Sequence, residues 1–91
     1  MPNTTIHDTD FDRFFTEEDG KKVYVSYSIH DGTIDLQHTY TPPDLRGRGL
    51  ASEVVKAALE YAKDKGLKVK PTCSYVQAYL GRHPEYHDMA Q

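Results

Sequence analysis

The sequence has little of what disulfide-stapled, metal-cluster and membrane proteins need. Its 91 residues include one cysteine, Cys73, and no tryptophan. A single cysteine cannot form an intrachain disulfide or a cysteine-based zinc cluster, so a disulfide-stapled secreted fold and a zinc finger are both excluded. No apolar run approaches the roughly 18 residues of a membrane span, and the polar first ten residues contain no signal-peptide pattern. We therefore expect a soluble, cytoplasmic protein in a reducing compartment, with no membrane partner.

The chain also lacks a strong excess of one charge, since its formal net charge is −3. An acidic chain of this kind argues against general nucleic-acid binding. The charges are nevertheless uneven: residues 1–35 carry 3 basic and 8 acidic side chains, whereas residues 44–70 carry 7 basic and 4 acidic ones. A local basic region suits a small phosphorylated ligand. A chain of this length holds one small core, which predicts a single domain over residues 1–91.

The first half of the sequence has the period of two that is typical of half-buried strands. Apolar and polar residues alternate from Lys22 to His30 and again from Thr33 to Tyr40. Between the two segments, Asp31 and Gly32 tolerate the positive φ of a tight turn. The pattern predicts an antiparallel hairpin.

The second half changes to a period of about 3.6, which is typical of helices. An apolar stripe from Leu50 to Lys65 predicts a helix that ends at a Gly66 cap. A short strand is predicted from Leu67 to Lys70 and a second helix from Tyr75 to Arg82. With a strand at Arg13 to Thr16 before the hairpin, the predicted order is β-β-β-α-β-α. This order indicates an α+β (mixed α/β) fold, with two helices over a mostly antiparallel sheet.

The segment Arg46 to Ala51 lies between the predicted strands and the first helix. The first N–H groups of a helix have no internal partner and lie at the positive end of its dipole, so this position suits phosphate. Gly47 and Gly49 allow close approach of the backbone, and Arg46 and Arg48 add positive charge. The segment matches neither the Walker A motif nor the full GxGxxG motif. From the residues alone, an ordinary turn with two solvated arginines is an equal alternative.

Several motifs in order resemble a known family. Arg46-x-x-Gly49-x-Ala51 matches the Arg/Gln-x-x-Gly-x-Gly/Ala signature of GCN5-related N-acetyltransferases. The chain is most similar to the small stand-alone acetyltransferase-like family, a reduced version of that fold, over about Phe14 to Tyr86. The other matching motifs are His38-Thr39-Tyr40 with Pro42, Pro71 to Val76, and His83-Pro84-Glu85-Tyr86.

The resemblance implies an acetyl-CoA-dependent N-acetyltransferase whose domain core spans about residues 12–86. Acetyl-CoA is the implied cosubstrate, an amine of unidentified kind is the acceptor, and no metal is implied. Because the chain is short at both ends compared with full-length acetyltransferases, we expect it to lack the segments that build the acceptor pocket there. The implied acetyl-CoA-binding residues are Thr39, Tyr40, Arg46, Gly47, Arg48, Gly49, Leu50, Ala51, Ser74, Tyr75 and Tyr79.

Cys73 and His38 are the candidate catalytic residues. Cys73 lies just before the second predicted helix, where the helix dipole favours a thiolate, and the resembling family has a candidate catalytic cysteine at this position. Two roles are open for it: accepting the acetyl group, or protonating the departing thiolate of coenzyme A. An imidazole can serve as a base, which suits His38 to that role, although period-two alternation puts it on the core face with Ile34 and Leu36. The alternatives are a structural histidine and an inert core thiol.

Two other functions fit the same sequence. The short chain and the absent acceptor pocket favour a non-catalytic module that senses or binds coenzyme A or acetyl-CoA. A structural domain whose loop binds nothing is the third possibility. His83 and His87 are four residues apart, but Pro84 interrupts the helix face that a metal site needs, so no metal is expected. The oligomeric state is left open.

Overall fold

The structure, a computed structural model, describes residues 5–90. In this range a five-stranded sheet has its strands in sequence order. The fourth and fifth strands pair in parallel, and the other neighbouring strands pair antiparallel. Short 3₁₀ helices span Pro43–Leu45 and Pro84–Met89. The elements are β1 (Ile6–Asp8), β2 (Arg13–Glu18), β3 (Lys21–His30), β4 (Thr33–Tyr40), α1 (Leu50–Lys65), β5 (Lys68–Pro71) and α2 (Ser74–Arg82).

The predicted α+β fold with a mixed, mostly antiparallel sheet is confirmed, and α1 has the predicted bounds. The predicted order was wrong at its start, because it omitted β1. This strand has three residues, too few to display a period, and its Ile6 side chain is 49% exposed. It exists through pairing with β2, as in the register of His7 with Phe14. Tertiary pairing of this kind leaves no signal in local sequence.

One face of the sheet carries the core. Helix α1 packs against β2, β3, β4 and β5, and α2 packs against β4, β5 and α1. Helix α1 ends where Gly66 adopts a left-handed conformation (φ 69°) and the N–H of Leu67 donates to the carbonyl oxygen of Ala62 at 2.8 Å. No helix within residues 5–90 has the length and apolarity needed to cross a bilayer. The fully buried core includes Val23, Val25, Ile34, Leu36, Val54, Val55, Leu59, Val69 and Val76.

A β-bulge divides β4 into two parts. Leu36 pairs with Tyr27 and His38 pairs with Ser26, so Gln37 is an extra residue on β4. The extra residue reverses the alternation: Thr39 now lies opposite buried Val25, on the helix side. The predicted core-facing position of His38 was therefore wrong, and His38 is exposed on the face of the sheet opposite α1, which we call the outer face. Tyr40 also lies on the outer face, because it is two residues after His38 in the same strand.

Candidate functional site

A cleft opens where β4 and β5 separate. The parallel pairing extends to Leu36 with Pro71, and the N–H of Cys73 then donates to the carbonyl oxygen of Leu36 at 2.9 Å. Past this point the chain turns into α2, while β4 continues to Tyr40. The space between the end of β4, the first turn of α1 and Tyr75 of α2 is a cleft of about 560 Å³.

The cleft brings together most of the residues predicted for acetyl-CoA binding. It also includes His38, which was predicted to act in catalysis, and two residues that sequence reasoning missed, Thr41 and Leu45. Both follow β4 in a loop whose path is set by Pro42 and the 3₁₀ helix, so no periodic pattern marks them. The lining residues are His38, Thr39, Tyr40, Thr41, Leu45, Arg46, Gly47, Gly49, Leu50, Ala51 and Tyr75.

Two left-handed glycines shape the loop before α1. Gly47 (φ 81°) and Gly49 (φ 77°) are both left-handed, a conformation that L side chains rarely adopt. A Cβ at either position would meet no atom within 4 Å, so the backbone there faces open space. Gly49 is the N-cap residue of α1, and its carbonyl oxygen accepts from the N–H of Glu53 at 3.2 Å. The N–H groups of the first turn have no partner within the helix and lie at the positive end of its dipole.

The two arginines of the loop differ in their partners. Arg46 lines the cleft, and its Nε donates to the carbonyl oxygen of Thr41 at 3.3 Å. Arg48 does not line it: its Nη1 donates to Oε2 of Glu18 at 2.7 Å and lies 3.7 Å from Oδ2 of Asp19. Arg48 therefore ties the loop to the turn between β2 and β3, while Arg46 supplies charge at the cleft.

Cys73 is the N-cap residue of α2 and is half-buried beside Thr39. Its Sγ lies 3.3 Å from Oγ1 of Thr39. Burial raises the pKa of the Cys73 thiol, but hydrogen bonds from the Thr39 hydroxyl and from the N–H groups of Val76 and Tyr75 lower it by more, so the pKa lies below the ordinary value of a cysteine. This environment stabilises a thiolate beside Thr39. Thr39 lines the cleft, whereas Cys73 itself is not among the lining residues.

His38 and Cys73 lie on different sides of β4. The imidazole of His38 is exposed on the outer face, with its ring 6.2 Å from that of Tyr24, whereas Cys73 contacts Thr39 on the helix side. The bulge produces this arrangement, because consecutive residues after Gln37 point to opposite faces. Groups on both sides of one strand thus reach the same cleft.

The three residues predicted from α2 have different positions. Tyr75 lines the cleft, and its hydroxyl lies 2.8 Å from Oγ of Ser52 in α1. Ser74 is exposed at the first position of the helix and does not line the cleft. Tyr79 is 3% exposed and stacks on His83, with ring centroids 4.0 Å apart, so it belongs to the core.

Comparison with known proteins identifies the family. A family model described as GCN5-related N-acetyl-transferase matches residues 13–89. The chain belongs to this family. The match includes the loop from Arg46 to Ala51, which we call the glycine loop, β4 with its bulge, and Cys73. A GCN5-like protein from Staphylococcus aureus, solved by NMR, has the same fold as this acetyltransferase-family domain: the TM-score is 0.76 at 24% identity, covering 100% of this chain and 91% of the other.

Curated relatives of this family member are each named Protein NATD1. The Xenopus tropicalis protein is 44% identical over 52 residues, which are 57% of this chain and 48% of the relative. The human protein is 45% identical over 51 residues, which are 56% of this chain and 45% of the relative. The Danio rerio protein is 37% identical over 68 residues, which are 72% of this chain and 62% of the relative. The chain spans about half the length of most of these curated relatives.

Proposed function

We propose that this chain binds acetyl-CoA in the cleft between β4 and α1 and transfers the acetyl group to an amine. The family supports an acetyltransferase, and the glycine loop is the observation that carries the choice of cosubstrate. Its two left-handed glycines border open space at the start of α1, where a diphosphate finds unpaired N–H groups and the charge of Arg46. The loop therefore fits the pyrophosphate of coenzyme A.

Beyond the loop, the cleft suits an extended chain. After Leu36, β4 continues for four residues beyond its parallel pairing with β5. Strand backbone with an open edge pairs readily with another extended group. In this proposal, the amide groups of the pantetheine arm pair with β4, and the thioester lies near Thr39 and Cys73.

Acetyl-CoA supplies a thioester carbonyl that an amine can attack. A C–N bond forms, the C–S bond breaks, the amine loses a proton and the thiolate gains one. We assign the first proton to His38, which is exposed on the outer face, and the second to Cys73, which supplies it from the helix side. The opposite orientations of these two side chains favour direct transfer, because a base that activated Cys73 would have to contact the thiol.

Binding is tested by the melting temperature with and without acetyl-CoA. A ligand that binds the native state at 100 times its Kd contributes about 2.7 kcal/mol, which raises the melting temperature of a domain of this size by about 10 °C or more. Charge reversal of both Arg46 and Arg48 should abolish the rise, with the single variant Arg46→Glu showing most of the loss. Lys56→Glu, an exposed position on α1, is the matched control. If acetyl-CoA still raises the melting temperature of the double variant, the loop does not bind the cosubstrate.

Catalysis is tested with Cys73→Ala on an amine that the wild type acetylates. Loss of a general acid lowers kcat by about 10²-fold or more. Mass spectrometry of the wild type after a pulse of acetyl-CoA without amine should detect no acetyl group on Cys73. An acetylated Cys73 that is consumed on adding amine would replace direct transfer by a two-step mechanism, and full activity of Cys73→Ala would make the thiol structural.

The same experiments test the alternative function, a non-catalytic sensing or binding module. That function predicts a full rise in melting temperature with acetyl-CoA. It also predicts that no amine in a mixed pool becomes acetylated from radiolabelled acetyl-CoA. If calorimetry detects no binding of acetyl-CoA, the remaining possibility is a structural domain whose loop binds nothing.

A further inference from the structure

A second cleft, of about 400 Å³, lies on the outer face beside the first. Two residues connect them: Tyr40 lines both clefts, and Tyr24 of the second cleft has its ring 5.7 Å from that of Tyr40 and 6.2 Å from that of His38. The second cleft therefore ends beside the candidate base. It is lined by Arg13, Lys21, Lys22, Tyr24, Tyr40 and Asp44, together with the two prolines that follow β4.

The charge of this cleft contrasts with that of the chain. Three cations and one carboxylate line it, although the whole chain is acidic. Each cation has a carboxylate partner, but those of Lys22 and Arg13 lie outside the lining. Lys21 pairs with Asp44 at 2.6 Å and Lys22 pairs with Glu17 at 3.4 Å. All four of these side chains are more than 40% exposed. Because exposed ion pairs contribute little to stability, an anionic ligand can replace the carboxylates that pair with these lysines at a small cost in free energy.

Arg13 is held in place by its surroundings. Its guanidinium carbon lies 5.1 Å, 5.3 Å and 5.5 Å from the ring centroids of Phe11, Phe15 and Tyr24, and its side chain is 23% exposed. Its Nε also pairs with Oδ2 of Asp8 at 3.2 Å. A guanidinium fixed between rings has already lost much of its rotamer freedom, so contact with a carboxylate or phosphate costs less entropy.

The sheet fixes the spacing between the cations and His38. Arg13 pairs with Ser26, and Ser26 pairs with His38, so the two outer residues are two strands apart. Two strand spacings are about 10 Å. One small molecule can therefore contact the cationic end of the cleft and present an amine to His38.

We infer that the acceptor is a primary amine that also carries an anionic group, either a carboxylate or a phosphate. The anion contacts Arg13, Lys21 and Lys22, the aliphatic part packs on Tyr24 and Tyr40, and the amine lies at His38. This inference rests on the proposed acetyl transfer and adds the class of acceptor.

A matched panel of amines tests the class. The carboxylate arm compares 6-aminohexanoate with its neutral amide and with the cationic 1,6-diaminohexane, and the phosphate arm compares phosphoethanolamine with ethanolamine. We expect kcat/KM for the anionic member to exceed that of its neutral counterpart by at least about tenfold, as one charge-assisted contact provides. A neutral or cationic amine that reacts equally well or better would overturn the inference.

The double variant Lys21→Gln/Lys22→Gln tests the site. It should lower the ratio of anionic to neutral kcat/KM toward one, whereas the control Lys56→Gln should leave the ratio as in the wild type. The acetyl-CoA-induced rise in melting temperature is measured on the same proteins. If the double variant loses that rise, the two lysines serve the phosphates of coenzyme A and the acceptor assignment is wrong.

Binding without turnover separates the inference from the proposed function. NMR titration of the full chain with 6-aminohexanoate should shift the ring resonances of Tyr24 and Tyr40, and the amide analogue should shift them less. If these shifts occur but acetyl-CoA does not bind, the proposed acetyl transfer is wrong and the anion site is supported. If acetyl-CoA binds and both compounds cause equal shifts, the anion site is wrong and the proposed acetyl transfer is unaffected.

Discussion

The two halves of β4 both pair with β3 but differ in their burial and in their second neighbour. Before the bulge, Ile34 and Leu36 are fully buried and their strand pairs with β3 on one side and β5 on the other. After the bulge, β4 pairs with β3 alone, and His38, Thr39 and Tyr40 all line the cleft. The first half therefore holds the fold together, and the second half is free to contact a ligand.

One residue separates these roles. If the same sequence continued past Leu36 without a bulge, His38 would lie on the helix side and Thr39 on the outer face, because alternation along a regular strand is strict. The bulge instead brings the Thr39 hydroxyl to Cys73 and leaves the imidazole of His38 exposed. A one-residue shift in the alternation of a regular strand can thus shape a site without a new loop.

The largest expected effect lies in the first half. Leu36→Ala removes a fully buried side chain at the junction of β3, β4 and β5, and should lower the free energy of unfolding by about 2–5 kcal/mol. Tyr40→Ala, in the second half and 41% exposed, should cost less than about 1 kcal/mol. Urea denaturation measures both. Equal losses would contradict the division of β4 into a structural half and a binding half.

The next effect comes from removing the bulge itself. Deletion of Gln37 removes the bulge but leaves His38 opposite Ser26 and Thr39 opposite Val25, so both keep their faces. Because a bulge bends and twists its strand, the deletion should straighten the end of β4 relative to α1 and lower the acetyl-CoA-induced rise in melting temperature. The matched control is Gln37→Ala, which loses the hydrogen bond from Nε2 to Oγ of Ser28 but keeps the extra residue. If the deletion variant folds and binds as well as the control, the bulge has no part in the site.

The smallest effect concerns the pKa of one thiol. Thr39→Val removes a hydroxyl that stabilises the Cys73 thiolate, so the pKa of Cys73 should rise. The midpoint of iodoacetamide alkylation against pH reports this pKa in a chain with a single cysteine. In the wild type the midpoint should lie below that of the urea-unfolded chain, and in the variant it should move up toward it. A midpoint that stays in place would assign the lowered pKa to α2 alone.

The sequence predicted the parts of the fold that depend on local pattern. The bounds of α1 follow from its apolar stripe and from Gly66, and the hairpin of β3 and β4 follows from alternation around Asp31 and Gly32. Strand β1 was missed because its three residues are defined by their partner. The face of His38 was wrong because a bulge is a mismatch between two strands, which one strand's own sequence does not record.

The site was predictable to a similar degree. The glycine loop has a sequence signature, and the structure brings Arg46, Gly47 and Gly49 to one cleft. Arg48 has the same residue type and a neighbouring position, yet its ion pair with Glu18 joins residues 30 apart in the sequence. The contact between Thr39 and Cys73 also spans distant residues, and so does the cation cluster around Arg13. Contacts of this kind depend on the register of the sheet.

The parallel pairing of β4 with β5 has a consequence for the order of folding. Strands β1 to β4 join through short turns, whereas Thr33 and Lys68 are separated by the whole of α1. Closing so long a segment costs more conformational entropy than forming a hairpin and is therefore slower. We expect the meander of β1 to β4 to form early and the contact between β4 and β5 to form late. The end of β4 forms its wall of the cleft with the meander, but Tyr75 lies in α2, which follows β5 in the chain, so the opposite wall depends on that contact. A chain that has folded only its hairpins has a sheet but no site, so ligand binding reports completion of folding.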